Sequence, residues 1–292
     1  DKKGKEIETC VLYADIRNSV ELTTNHPQLI GKVYTAFTKA VTKIAKFHGA
    51  SVRNIIGDRV MVVFPSENCY TNAVDCAVSI NHACKGIINK QFSTVDFKCG
   101  IGIDYGKMKV SKVGIQIYGT DRAENKNLVW VGKPANISSR LTDIANKKVK
   151  EEYYEVTYEP IFSNPYGIPI FEFNFLKSIR PLGELYPKEV NEPTYLPETT
   201  KIMSGEEFAS GMSCYSAGEL SFNKGKFKSF ERKEIIHDLK SILITERVYV
   251  PYCKENPEAS DVKGDQWEEV NYPIKNVKCK VYGLDINWNL SE

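Results

Sequence analysis

Residues 11–19 read VLYADIRNS, and the interpretation of the whole chain starts from this stretch. An apolar run ends at Asp15, and residues typical of a turn and a helix start follow it. A carboxylate at the end of a buried strand is unfavourable unless a positive charge lies on it. Asp58 ends a second apolar run in the same way. The two acids are therefore candidate ligands of metal ions.

Composition limits the classes of protein that the chain can represent. Its 292 residues suffice for one large domain or two small ones, and its formal net charge is +2. A balanced charge does not favour a protein that coats nucleic acid, and no run of eighteen apolar residues predicts a membrane span. The first residues lack a signal-peptide pattern, and none of the eight cysteines forms a C-x-x-C pair. We therefore expect a cytoplasmic protein with reduced thiols and no nucleic acid or membrane partner.

Hydrophobic spacing predicts the secondary structure of the first half of the chain. The predicted elements are strands at 8–15, 50–56, 59–64, 97–105, 107–113 and 127–131, and helices at 27–47, 71–89 and from 132 to about 147. Gly57 joins the second and third strands in a hairpin, and Gly106 joins the fourth and fifth. Because strands come in hairpins, this order predicts an α+β fold close to a ferredoxin-like core.

The character of the sequence changes near residue 148. Residues 148–191 are rich in Tyr, Pro and Phe without a long helical period, and residues 201–230 are rich in Ser, Gly and Lys. Strand character returns at residues 241–244, and an alternating pattern at 277–288 predicts a closing strand.

Four blocks of sequence together resemble the class III nucleotidyl cyclases. Residues 12–16 resemble the first metal strand of that family, and residues 55–64 resemble its second metal hairpin. Residues 100–106 resemble its central glycine strand, and residues 131–141 resemble its transition-state helix. The blocks occur in the family's order and cover roughly residues 8–145. The resemblance implies a mixed, mainly antiparallel sheet flanked by helices.

A fifth block indicates how the second half is organised. Residues 241–249 resemble the strand that in this family closely follows the transition-state helix, but here it comes about ninety residues late. We therefore expect a single cyclase domain over residues 1–292, with a core at 1–147 and 239–292. Residues 148–238 are then a large insertion before the last strands.

The resemblance implies an enzyme that cyclises a nucleoside triphosphate with two divalent metal ions, Mn²⁺ or Mg²⁺. Such ions require hard oxygen ligands and few protein carboxylates, and Asp15 and Asp58 meet that need. The resemblance adds the carbonyl of Ile16 as a further ligand. Backbone N–H groups at residues 17–20 are candidates for phosphate binding. The alternative is that Asp15 caps a helix and that Asp58 is an ordinary turn acid.

Three further residues gain catalytic or binding roles from the resemblance. Asn136 and Arg140 are four residues apart, so they share one helix face. The resemblance assigns ribose orientation to Asn136, stabilisation of the α-phosphate to Arg140 and phosphate contact to Lys275, although the family's usual Lys-Gly is Lys-Asn here. An ordinary surface Asn, a salt-bridged Arg and a solvated Lys are the alternatives. Because the family draws the metal acids and the Asn–Arg pair from opposite subunits, a head-to-tail homodimer with composite active sites is implied.

The residues at the base-reading positions differ from those of purine cyclases. Adenylate cyclases usually carry Lys three residues before the hairpin glycine, where this chain has Asn54. The partner position, usually Asp, Thr or Cys, is Val129. Specificity built on hydrogen bonds falls steeply when those groups are removed, so a purine substrate is not favoured. A drifted binding wall without any role in base recognition is the alternative.

Residues 127–132 resemble the corresponding stretch of the Pycsar pyrimidine cyclases, which are antiphage enzymes that make cyclic UMP or cyclic CMP. Ser19 and Trp130 also fit that group. We therefore expect a uridylate cyclase whose product is read by a separate cyclic-nucleotide-sensing effector. The alternatives are a cytidylate cyclase, then an adenylate or guanylate cyclase, then a nucleotide-binding regulatory module without catalysis.

Overall fold

The computed structural model describes residues 4–114, 126–163, 194–214 and 220–288. The chain divides into two compact units. The first combines residues 1–149 with residues 238–292, and the second comprises residues 150–237.

The first unit alternates strands with helices. Its strands are β1 (Lys5–Ile16), β2 (Ser51–Ile56), β3 (Arg59–Val63), β4 (Cys99–Gly114), β5 (Lys126–Val131), β12 (Ile242–Thr245), β13 (Glu268–Glu269) and β14 (Val281–Leu284). Its helices are α1 (Ser19–Asn25), α2 (Ile30–Phe47), α3 (Cys69–His82), α4 (Asn89–Gln91), α5 (Lys133–Ile144), α7 (Glu246–Glu255) and α8 (Ser260–Lys263). One π-helical segment, Ala83–Ile88, joins α3 to α4.

These strands form one mixed sheet in the order β13-β14-β12-β4-β1-β3-β2, with β5 also paired to β4. The β12–β4 pair is parallel, whereas β1 runs antiparallel to both β3 and β4. The predicted α+β class with a ferredoxin-like core and a mainly antiparallel sheet is therefore confirmed.

The two faces of the sheet are covered by different helices. One face carries the main hydrophobic core, to which α2 contributes Val33, Phe37 and Val41, all at most 1 % exposed. The other face carries α5, whose Leu141 and Ala145 pack against the sheet. Both faces are therefore buried, as the nearly continuous apolar residues of β1 require.

The strand pair predicted around Gly106 is wrong. Strand β4 continues through Gly106, because β1 pairs with it without interruption from Ile16↔Cys99 to Lys5↔Val110. Gly106 has a φ of +153°, and a Cβ there would lie 3.1 Å from Pro134 Cγ. The glycine therefore permits a close approach of α5 and does not form a turn.

Several predicted boundaries also differ from the structure. Helix α2 begins at Ile30, so Pro27 precedes it. The strand resemblance over residues 241–249 holds only to Thr245, because α7 begins at Glu246 and includes Pro251. Only four residues of the predicted closing strand, Val281–Leu284, form β14.

The second unit has its own sheet and core. Its elements are strands β6 (Lys148–Ser163), β7 (Thr194–Tyr195), β8 (Thr199–Ser204), β9 (Met212–Cys214), β10 (Leu220–Phe222) and β11 (Gly225–Asp238), and helix α6 (Gly205–Gly211). The strand order is β7-β6-β11-β10-β9, with β8 paired to β6. Val156, Tyr158, Met203 and Phe222 form the core.

Within the described ranges, no helix is both long and apolar enough to cross a membrane.

Candidate active site

The two candidate metal acids lie at one edge of the main sheet. Asp15 is opposite Arg59 in the β1–β3 pairing. Asp58 immediately precedes Arg59, in the two-residue connection between Ile56 and Arg59. Gly57 supports this tight connection with a φ of +61°, which favours glycine. The hairpin thus brings Asp58 to the end of the strand that neighbours Asp15.

Asp15 is held between two guanidinium groups. Arg59 Nη2 lies 2.7 Å from Asp15 Oδ2, and Arg17 Nη1 lies 3.7 Å from the same oxygen. The Asp15 side chain is only 12 % exposed, so these cations offset the cost of burying its charge. The predicted need for positive charge at this strand end is met within the chain.

Arg17 is fixed in place by surrounding atoms. Its backbone N–H donates to the Lys98 carbonyl at 2.8 Å, and its guanidinium donates to the Thr142 carbonyl. Burial lowers the pKa of Arg17, and Asp15 opposes that shift. The backbone N–H is already used, so the expectation that residues 17–20 all offer N–H groups to phosphate fails at Arg17.

Helix α5 carries one polar stripe. Asn136, Ser139, Arg140 and Asp143 are spaced by three or four residues, so they lie on the same face. Its packed face carries Ser138, Leu141 and Thr142, which are fully buried, and Pro134 stands in the first turn. The packing of that face against the sheet therefore determines where the polar stripe lies.

Arg59 connects this stripe to Asp15. Arg59 Nη2 donates to Asp143 Oδ1 at 2.5 Å, and Arg59 Nη1 donates to Ser139 Oγ at 2.9 Å. Burial lowers the pKa of Arg59, but its hydrogen bonds to Asp15 and Asp143 outweigh burial and raise the pKa above its usual range. Sequence reasoning missed Arg59, Ser139 and Asp143. The helical spacing of the stripe was the one available signal.

The structure brings Arg140 and Lys275 together. Arg140 Nη1 donates to the Lys275 carbonyl at 3.3 Å. Asn276, at the position where the family has glycine, has a φ of +64°, a conformation that Asn tolerates. The turn after Lys275 is therefore compatible with either residue. Among the described contacts, no ion pair joins Arg140 to Asp15.

Two neighbours of the predicted base-reading residues are in contact. Arg53 precedes Asn54 on β2, and its Cζ lies 5.2 Å from the ring centroid of Trp130, which follows Val129 on β5. The Trp130 indole N–H is buried and has no hydrogen-bond partner among the residues that the structure describes. Asn54 and Val129 are both exposed, so the structure leaves both available for contact with a ligand.

The predicted metal ligands suit a catalytic metal site, which substrate completes, better than a structural site made of protein ligands alone. Among the described residues, no three side chains of His, Cys, Asp or Glu cluster for metal binding. Mg²⁺ is usually held by one or two carboxylates together with substrate phosphates, which suits Asp15 and Asp58. Arg59 already pairs with Asp15 Oδ2, so this oxygen is placed to accept a cation. Ile16, the third predicted ligand, is a buried residue at the strand end.

Comparison with known proteins identifies the family of the chain. The profile of the adenylate and guanylate cyclase catalytic domain matches residues 2–154. The chain belongs to this family. The match ends in β6, so it includes every predicted site residue except Lys275.

Several relatives of this cyclase-family chain are named uridylate cyclase. One from Burkholderia cepacia is 34 % identical over 147 residues, which are 48 % of this chain and 61 % of the relative. One from Rhodovulum sp. is 26 % identical over 149 residues, 48 % of this chain and 59 % of the relative. The chain therefore matches about three fifths of the length of these two relatives. Among solved structures, the adenylyl cyclase CyaB from P. aeruginosa aligns with a TM-score of 0.44 and 16 % identity over 70 % of this chain and 97 % of that chain.

Proposed function

We propose that the chain is a metal-dependent uridylate cyclase, which converts UTP to 3′,5′-cyclic UMP and pyrophosphate. One observation supports the proposal: Asp15 lies opposite Arg59, the residue after Asp58, and Arg59 links Asp15 to the polar stripe of α5. Membership of the cyclase family and similarity to proteins named uridylate cyclase support it.

The reaction joins the ribose 3′ oxygen to the α-phosphorus and breaks the bond between that phosphorus and the pyrophosphate. Two divalent ions held by Asp15, Asp58 and the Ile16 carbonyl would acidify the hydroxyl and offset charge on the leaving group. Asn136 orients the ribose for in-line attack. Arg140 donates to a non-bridging oxygen of the α-phosphate as its charge grows, and Lys275 binds the released phosphates.

The base-reading residues favour a pyrimidine. Val129 is apolar, so it cannot hydrogen-bond to a purine edge, and Asn54 can both donate and accept. Uracil and cytosine each present hydrogen-bond donor and acceptor groups along one edge, and the side-chain amide of Asn54 can bond to both kinds of group. The relatives' name favours UTP over CTP. The alternatives are a cytidylate cyclase, then a purine cyclase, then a regulatory module without catalysis.

A head-to-tail homodimer completes the proposed site. Ile55 and Ile56 of β2 are 48 % and 67 % exposed, and Val131 of β5 is 58 % exposed. Large exposed apolar residues at strand ends near a candidate site are suited to an interface with a second copy. In this arrangement, Asp15 and Asp58 of one copy work with Asn136 and Arg140 of the other.

The second unit is proposed to be an insertion into the cyclase domain. The segments of the first unit that precede and follow it in sequence are hydrogen-bonded to each other. Asn146 N–H donates to the Lys240 carbonyl at 2.8 Å, and Leu239 N–H donates to the Lys147 carbonyl at 3.0 Å. A segment whose ends are held side by side can be inserted at modest entropic cost. The core would then comprise residues 1–147 and 239–292.

The proposed setting is antiphage signalling in the cytoplasm, where a separate effector senses the cyclic nucleotide. The resemblance of residues 127–132 to the Pycsar cyclases supports this setting.

The test incubates the full chain with Mn²⁺ and each of the four ribonucleoside triphosphates, and identifies products by mass spectrometry. Cyclic UMP is expected as the main product. Asp58→Ala should lower the rate at least about a hundredfold because one metal ligand is lost. Asp96→Asn is the matched control, since among the described ion pairs Asp96 contacts only Lys98, at an exposed site. A purine product, or turnover that survives Asp58→Ala, would overturn the proposal.

A further inference from the structure

The Arg59 guanidinium bonds to three side chains, and the proposed reaction gives it no role. Its guanidinium touches Asp15 at 2.7 Å, Asp143 at 2.5 Å and Ser139 at 2.9 Å. Two of these partners belong to α5, and the third is a candidate metal ligand. One side chain therefore links the metal edge to the helix that carries Asn136 and Arg140.

Asp15 has two cationic neighbours that differ in freedom to move. Arg17 is 4 % exposed, and its guanidinium is held by the Thr142 carbonyl. A Cβ on Gly100 would lie 2.0 Å from Arg17 Nη2, so this guanidinium packs directly against the glycine. Arg59 is 26 % exposed and closer to Asp15. Only Arg59 has both the room and the second set of partners needed to leave Asp15.

Arg59 Nη2 lies 2.7 Å from Asp15 Oδ2, so a metal ion that binds this oxygen competes with the guanidinium for it. Asp143 already accepts from the same nitrogen, Nη2, and Ser139 accepts from Nη1. The displaced charge would therefore stay paired and would not be left in solvent, which limits the cost of the exchange.

We infer that Arg59 is an internal counter-ion that occupies Asp15 until a metal ion replaces it, with Asp143 and Ser139 holding the displaced guanidinium. This inference rests on the proposed metal-dependent function and concerns the regulation of the same site. Arg59 is a positioning residue, because it acts through Asp15 and α5. Metal binding would then break the contact through Arg59 that links α5 to Asp15.

The inference predicts opposite effects for two substitutions. Arg59→Gln removes the competitor, so Mn²⁺ should bind about fivefold more tightly, which corresponds to about 1 kcal/mol for one partly exposed ion pair. Asp143→Asn removes the carboxylate that pairs with the displaced guanidinium, so Mn²⁺ should bind about threefold more weakly.

Simple charge effects through space would give the same two signs, so the double variant decides between the explanations. If Asp143 acts through Arg59, Asp143→Asn has no effect on Mn²⁺ affinity once Arg59→Gln is present. If each charge acts alone, the two effects add. Lys147→Gln is the matched control, because Lys147 is a nearby cation without an ion pair to Asp15 among the described contacts.

The experiment titrates Mn²⁺ alone into the full chain without nucleotide and follows free Mn²⁺ by electron paramagnetic resonance. Thermal melting confirms that each variant is folded. Asp15→Asn identifies the site, since its loss of binding shows that the measured ion is bound at Asp15. Binding at Asp15 that is unchanged by Arg59→Gln, or additive effects in the double variant, would overturn the inference alone. Binding that does not depend on Asp15 would overturn the proposed metal site as well.

Discussion

The contact between α5 and β4 leaves no room for a side chain at Gly102. A Cβ there would lie 2.3 Å from Ser138 O, 2.5 Å from Thr142 N and 2.7 Å from Leu141 Cβ. Two of these atoms are backbone, so no side-chain rotation relieves the clash. Carbon atoms pack at about 3.5–4.0 Å, so Gly102→Ala must push α5 away by about 1 Å.

This displacement should affect both stability and catalysis. Overpacking of a buried contact costs about 1–3 kcal/mol, and a backbone clash belongs at the upper end. A loss of about 3 kcal/mol lowers the melting temperature by about 6–12 °C in a unit of this size. Because α5 carries Asn136 and Arg140, a shift of about 1 Å should lower cyclase turnover on the order of a hundredfold.

Gly31→Ala is the matched control. It adds the same methyl group in α2, where a Cβ meets nothing within 4 Å. Alanine is the better helix former, so this variant should be about 0.5–1 kcal/mol more stable. Differential scanning fluorimetry and initial rates with UTP measure both variants. If Gly102→Ala melted like the wild type and kept its activity, the proposed close packing of α5 would be refuted.

Three further predictions concern charge, subunit composition and base choice. Burial raises the pKa of Asp104 to about 6 against 3.8, and the hydrogen bonds from Thr245 and Arg247 oppose the rise. The protonated carboxyl is therefore favoured in the folded state, and the wild type should lose about 2 kcal/mol of unfolding free energy relative to Asp104→Asn as pH rises from about 4 to 7, measured by urea titration. Mixing Asp58→Ala with Arg140→Ala should restore about a quarter of wild-type turnover if sites are shared between two copies, whereas an unrestored mixture would contradict a shared site. The double change Asn54→Lys with Val129→Asp should shift the ratio of kcat/KM toward ATP by at least about tenfold, and an unchanged ratio would show that these positions do not read the base.

The sequence predicted those features that depend on local pattern. The apolar run ending at Asp15, the tight turn at Gly57 and the helical spacing of Asn136 and Arg140 are all readable from neighbouring residues. Their elements are found close to the predicted positions, because burial on both faces of the sheet makes the apolar runs long and regular.

Features that depend on distant partners could not be predicted in this way. The Arg59–Asp143 pair joins residues 84 positions apart, and nothing in either local sequence marks it. Gly106 was interpreted as a turn because glycine commonly forms turns, whereas the unbroken pairing with β1 keeps it inside β4. Asp104 looks like an ordinary acid in sequence, yet Thr245 and Arg247 place it in the core.

The polar stripe of α5 explains how one helix can contact the metal site of its own chain and the substrate of a second copy in the proposed dimer. Asn136 and Asp143 are seven residues apart, which separates them by about 10 Å along the helix axis. The end of the stripe at Asp143 is tied through Arg59 to the Asp15 of its own chain. Asn136 near the other end is exposed and so remains able to meet the substrate of a second copy. If a metal ion releases Arg59 from Asp15 as proposed, it would change the anchoring of one end of α5. The other end is the one proposed to act on the partner's substrate, so metal binding in one site would be coupled to catalysis in the other.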